Sequence, residues 1–252
     1  MRAVLLFLLL LLPGLARAEV NLAMAPIGRL SLPWWKERWE ATLRAAKETP
    51  DARIVWLGDS ITQNWQHQGK QEYDNYLPVW NKYYAPYQAL DFGFTGDTTA
   101  SLIWRLDHGQ VKGLHPALAI ILIGANNFGL PHWDVQKTVP GIESVVNITH
   151  HDLPGAHILL LGVLPSIRSP WVSEQTALTN KALASIYAKS PDVTFVNLKA
   201  LFLTNGQVNP AYFLDPHLHP PAPPLHPSAP TMARMAQALE PYVEKYAGPP
   251  AP

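Results

Sequence analysis

Ser60 is the residue whose type and setting invite chemistry. It follows the apolar run Val55-Trp56-Leu57 and the turn Gly58-Asp59, and the chain passes directly from it into the helix-like Ile61-Thr62. A serine between a strand end and a helix start lies where backbone N–H groups point outward and negative charge is favoured, which suits a nucleophile. Small polar residues also fill ordinary turns, so the triplet alone decides nothing. Two more polar loops follow buried-looking runs: Gly93-Phe94-Thr95-Gly96-Asp97-Thr98-Thr99 and Gly124-Ala125-Asn126-Asn127. Acyl transfer needs an attacking hydroxyl and donors aimed at the oxygen that becomes negative. Gly96 allows a backbone N–H to approach closely, the Asn126 amide adds a donor without charge, and the Ser60 N–H would be a third.

These loops need a scaffold that brings them together. Hydrophobic periodicity predicts helices over Pro33–Lys47, Thr98–Leu106, Val135–His150, Glu174–Lys189 and Met232–Lys245. Between them lie short apolar runs read as strands: Ile54–Leu57, Ala89–Phe92, Ala117–Ile123, Ile158–Leu161 and Val193–Val196. Strands apolar on both faces and separated by helices imply an α/β fold, a parallel sheet of about five strands covered on each side. In such sheets reactive groups gather at the carboxyl ends of the strands, where all three loops fall.

The blocks Gly58-Asp59-Ser60-Ile61-Thr62, Gly93 to Thr99 with Leu102-Ile103-Trp104-Arg105-Leu106, and Ile123-Gly124-Ala125-Asn126-Asn127 resemble the SGNH hydrolases, the GDSL esterase family. Within it the chain is most similar to the subgroup of the brain-type platelet-activating-factor acetylhydrolase catalytic subunits, over about residues 50 to 246. The resemblance implies a flavodoxin-like α/β/α sandwich, Ser60 as nucleophile, and Gly96 and Asn126 as oxyanion-hole donors. It also implies supporting loop bonds from Asp59, Asp97 and Asn127, pairing into homodimers, and no metal or organic cofactor.

The base is where the chain departs from the pattern. The family places its histidine in an Asp-x-x-His block before the last helix, yet none of His217, His219 and His226 has Asp three residues earlier. His226 is favoured because His226-Pro227-Ser228-Ala229 precedes the closing helix, while His219 lies nearer Asp215 but too far from that helix. If His226 is the base, Pro223 occupies the acid's usual place. Asp215 must then fold back across the proline loop, or a backbone carbonyl must hold the imidazole and leave a Ser–His dyad.

Composition frames these readings. Residues 1–18 carry a positive start at Arg2, an apolar core from Val4 to Leu12 and the small-x-small Ala16-Arg17-Ala18, which read as a secretory signal cut after Ala18 and too short for a lasting bilayer anchor. Residues 19–50 then form an N-terminal extension and helix, 51–246 the hydrolase domain and 247–252 a flexible tail. With no cysteine there is no disulfide framework or thiolate site. Nineteen basic and nineteen acidic residues leave no field for nucleic acid. His108, His115, His132 and His150-His151 lack metal-ligand spacing with carboxylates. The sequon at Asn147 falls inside a predicted helix and carries little weight.

The sequence-based expectation is a periplasmic or secreted serine esterase that removes a short acyl group, acetyl above all. Its partner would be an acylated carbohydrate such as an acylated cellulose or another exopolysaccharide, because Trp133 and Trp171 fall in loops that open on the catalytic edge and flat aromatic faces stack on sugar rings. Two rivals stand beside it: a lysophospholipase or thioesterase with the same machinery, and a weakly active glycan-binding accessory of polymer synthesis or export.

Overall fold

The computed structural model describes residues 19–249, so the leader reading of residues 1–18 lies outside the described residues. Five parallel strands form the central sheet: β1 (Ile54–Gly58), β2 (Leu90–Gly93), β3 (Leu118–Leu122), β4 (His157–Leu161) and β5 (Val193–Val196). Their order is β2-β1-β3-β4-β5, the flavodoxin-like order, and the chain switches direction across the sheet between β1 and β3. Val55 lies beside Leu90 and Ala119, which fixes the register on both sides of β1.

Alternation along the strands divides the core in two. Val55, Leu57, Ala119, Ile121, Ile158 and Leu160 pack on one side under α4 (Thr99–Asp107), α6 (Val135–Asp152) and α7 (Pro170–Ile186). Ile54, Trp56, Leu118, Ile120, Leu122 and Leu159 face the other side, under α3 (Leu77–Tyr83) and α8 (Ala229–Ala247). Both faces being buried is why these strands read as unbroken apolar runs. Each fully buried aliphatic side chain contributes about 1.5–3 kcal/mol, enough to outweigh local propensity at the strand ends. The three-layer sandwich and its five strands are as the sequence predicts, with ends shifted by a few residues. Helix α7 begins at Pro170 rather than near Glu174, because Ser169 caps it by accepting from the Val172 N–H and proline suits the first turn.

Short elements complete the catalytic edge: α2 (Ser60–Gln63) directly after β1 and α5 (Ala125–Gly129) after β3. A small antiparallel hairpin of β6 (Leu203–Thr204) and β7 (Gln207–Val208) carried no clear strand signal in the sequence.

The segment before β1 is bound to the sheet layer. In α1 (Pro33–Glu48), Trp35 and Trp39 pack with Phe94 from the loop after β2. Ahead of α1, the Asn21 side chain donates to the Lys137 carbonyl and the Thr99 hydroxyl donates to the Ala23 carbonyl. At the far end, Arg53 donates to the carbonyls of Ala247 and Pro249, which holds the start of the final segment to the entry of β1.

Candidate active site

The strand ends deliver the serine and its surroundings. Asp59 caps α2 by accepting from the Ile61 N–H at 3.0 Å, so Ser60 opens the helix with its own N–H facing outward. Ser60 is 7% exposed. Burial pushes the Asp59 carboxyl up to about 6, opposed by the Ile61 N–H and the nearby His226 and Arg168, and reinforced by Asp97.

The loop after β2 turns at Gly96, whose φ of +73° lies in the left-handed region that glycine enters without steric cost. The Asn126 Nδ2 donates to the Asp97 carbonyl at 3.0 Å. An amide NH₂ has two hydrogens, so this bond fixes the group and leaves one donor for a ligand. Among the described residues, neither the Ser60 N–H nor the Gly96 N–H has a hydrogen-bond partner. Gly124, with φ of +120°, is the N-cap residue ahead of α5, which carries Asn126 in its first turn. Asn127 braces the neighbouring turn, accepting from the Thr99 N–H at 3.0 Å and donating to its hydroxyl at 2.9 Å.

Beneath these loops lies a buried ionic network. Arg105 is fully buried; its Nε donates to Asp97 at 2.9 Å, and its other nitrogens donate to the carbonyls of Gly58 and Phe92 at 2.9 Å each. The Trp35 indole donates to the same Asp97 carboxylate at 2.8 Å. Burial lowers the Arg105 guanidinium to about 10 against the pull of Asp97, so it stays charged at neutral pH.

The loop before α8 brings the imidazole. His226 Nε2 lies 2.9 Å from Ser60 Oγ. On the opposite edge of the ring, His226 Nδ1 lies 2.7 Å from Asp215 Oδ1. The second Asp215 oxygen accepts from the N–H groups of Leu225 and His226 at 2.7 and 2.6 Å. Burial pushes the Asp215 carboxyl up, but the His226 bond and charge and the two backbone donors outweigh it, and the carboxyl is held below its ordinary value. A short helical turn over Asp215–His217 and the Ala222 N–H bonded to the Asp215 carbonyl close the excursion that returns the chain to His226. His217 instead stacks on Tyr73 with centroids 4.8 Å apart, and His219 is exposed on the outer arc. The Tyr76 hydroxyl donates to the Pro227 carbonyl and the Ser166 hydroxyl to the Pro224 carbonyl, bracing both flanks of His226.

Trp133 and Trp171 are half-buried on the Asn126 side of this edge. Trp171 packs edge-on against Phe128, while the Trp133 N–H donates to the Asn127 carbonyl. The aromatic residues after α2 are mostly packing: Trp65 and Tyr84 meet each other and Trp56 of β1 with centroids 5.0–5.2 Å apart. Arg168, which the sequence did not single out, donates to the Ala125 carbonyl at 3.0 Å beside Asn126. Arg105 carried a signal, a lone charge in the apolar stripe of α4; Arg168 lies in a loop with none.

A parallel sheet in this order, with the serine at the end of β1 and the asparagine at the end of β3, defines an SGNH-type hydrolase fold. The chain belongs to the GDSL-like Lipase/Acylhydrolase family, whose family model matches residues 56–234. It is 28% identical over 151 residues to the platelet-activating factor acetylhydrolase IB subunit alpha2 of Gallus gallus, covering 60% of this chain and 61% of that protein's length. Among solved structures it is similar to a GDSL-like lipase from Bacteroides thetaiotaomicron, with a TM-score of 0.59, 22% identity and coverage of 82% and 98% of the two chains. It is also similar to an acetylxylan esterase from Geobacillus stearothermophilus, with a TM-score of 0.55, 18% identity and coverage of 77% and 93%.

Proposed function

We propose that this protein is an exported serine esterase that removes short acyl groups, acetyl above all, from oxygen esters of a carbohydrate. The observation that carries the reading is the continuous relay from Asp215 Oδ1 through His226 to Ser60 Oγ, at 2.7 and 2.9 Å. Ser60 Oγ attacks the ester carbonyl carbon while its proton passes to His226 Nε2. The carbonyl electron pair moves onto oxygen, which receives the N–H groups of Ser60 and Gly96 and the free Asn126 N–H. Collapse expels the alcohol, which takes the proton from Nε2 and leaves an acyl-serine. Water repeats the sequence and releases the carboxylic acid. Asp215 keeps the imidazole in the tautomer that accepts at Nε2 and stabilises its charged form.

The short acyl group is supported by the likeness to a platelet-activating factor acetylhydrolase subunit and to an acetylxylan esterase, both named for acetyl esters. The carbohydrate acceptor rests on Trp133 and Trp171 beside the serine edge, and export rests on the character of residues 1–18. The test is acetate release from an acetylated polysaccharide and from an aryl acetate, with fluorophosphonate labelling of the serine. Wild type is expected to release acetate and take the label, and Ser60→Ala to do neither. Activity that survives Ser60→Ala, or wild type that resists labelling, overturns the esterase reading; cleavage of the aryl acetate alone overturns the carbohydrate acceptor.

A further inference from the structure

Resting on the esterase reading above, we infer that Arg29, outside the family-matching residues 56–234, is a positioning residue that strengthens the Gly96 oxyanion donor. The Arg29 Nη1 donates to the Thr95 carbonyl at 2.9 Å and to Asp97 Oδ1 at 3.1 Å. The Thr95 carbonyl and the Gly96 N–H are the two ends of one peptide group. A cationic donor on that carbonyl draws electron density toward oxygen and makes the N–H at the other end a stronger donor. That N–H has no partner among the described residues, so the gain is available to a ligand.

The same guanidinium closes over the turn. A Cβ placed on Gly96 would lie 3.1 Å from Arg29 Nη1 and 3.3 Å from Nη2, so the arginine packs against the face of the residue whose positive φ aims the donor. Charge balance alone does not call for it. Asp97 is already paired with the fully buried Arg105 and bonded by the Trp35 indole, so Arg29 is a second cation on that one carboxylate, and its bond to the Thr95 carbonyl is what it adds at the loop where the reaction develops a negative oxygen. Asp97 also links this arginine to the second donor, since its carbonyl holds Asn126. Arg29 is held from outside: the Ile27 N–H bonds the Ala100 carbonyl, the Leu32 N–H bonds the Arg29 carbonyl, and Arg29 lies 5.4 Å from the Trp34 ring centre. Its side chain is 26% exposed, so it can be changed without opening the core.

The experiment compares Arg29→Met and Arg29→Lys with wild type in kcat and KM on an aryl acetate, in the rate of fluorophosphonate labelling, and in Tm. Removing an oxyanion donor outright costs about 10²–10³ in kcat, so weakening one is expected to lower kcat of Arg29→Met about tenfold. KM should stay within about twofold, labelling should slow in step with kcat, and Arg29→Lys should recover part of the loss because it retains the charge. Unchanged kcat in folded Arg29→Met overturns the inference, and so does an equal kcat loss in both variants that follows their Tm. Should Arg29→Met fail to fold, Arg29→Gln, which keeps a donor without charge, is read against Arg29→Lys in the same way. Ser60→Ala separates the two levels: if it is inactive and unlabelled while Arg29→Met is fully active, only the role of Arg29 falls, whereas an active Ser60→Ala removes the esterase reading itself.

Discussion

The two halves of the candidate site are built by different means. The serine and oxyanion half sits on strand ends and is braced by many groups: Arg105 binds the ends of β1 and β2, Asp97 gathers Arg105, Arg29 and Trp35, and Asn127 ties α5 to α4. The histidine half is a proline-rich excursion in which one carboxylate serves both the imidazole and two backbone N–H groups. Distributed bracing makes the first half a property of the folded core. Concentration on Asp215 makes the second half vulnerable at a single residue.

Asp215→Asn is the sharpest way to break that contrast. It is expected to lower kcat on an aryl acetate by about 10³–10⁴, as disabling the orienting carboxylate does in serine proteases. A loss under tenfold would show that the backbone bonds around Pro224 and Pro227 orient His226 without it. Because Asp215 is held below its ordinary value, its ionised form and the stability it adds are in place above the unfolded carboxylate value and are lost only as pH falls through the lower folded value.

Arg105→Met probes the other half through stability. Breaking a buried ion pair typically costs about 3–5 kcal/mol, and urea unfolding at neutral pH should show a loss of that order. A much smaller loss would mean that Arg29 and Trp35 suffice for Asp97.

The smallest effect sharpens the comparison at Asp59. Its folded value of about 6 exceeds the ordinary carboxylate value, so the folded state binds this proton more tightly than the unfolded state. The stabilisation is complete below the unfolded value and is lost as pH rises through about 6. In Asp59→Asn, whose side-chain oxygen can still cap α2, the fall in Tm between pH 4 and pH 7 should be shallower than in wild type; an identical slope would remove Asp59 as its source.

Legibility in the sequence followed the same division. The strands were readable because both their faces are buried, which gives runs such as Leu118-Ala119-Ile120-Ile121-Leu122. The loops that carry Ser60, Gly96 and Asn126 were readable because they follow those runs directly. Asp215 could be named as the acid for His226 but not separated from a backbone carbonyl, because the two residues are eleven apart and their meeting depends on the path of the prolines between them. Arg29 and Arg168 were silent because each acts on a backbone carbonyl distant in sequence, Thr95 and Ala125, and such pairings leave no local spacing. The hairpin β6–β7 was missed because two-residue strands are shorter than any periodicity can report.

The arc from His217 to Pro223 is exposed, while both its ends are fastened by the Asp215 carboxylate and carbonyl. Loop entropy grows slowly with length, so residues can be added or exchanged along this arc at little energetic cost while the imidazole stays where it is. The arc is therefore a natural handle for engineering: a place to graft reach over bulkier acceptors while the reacting atoms keep their positions.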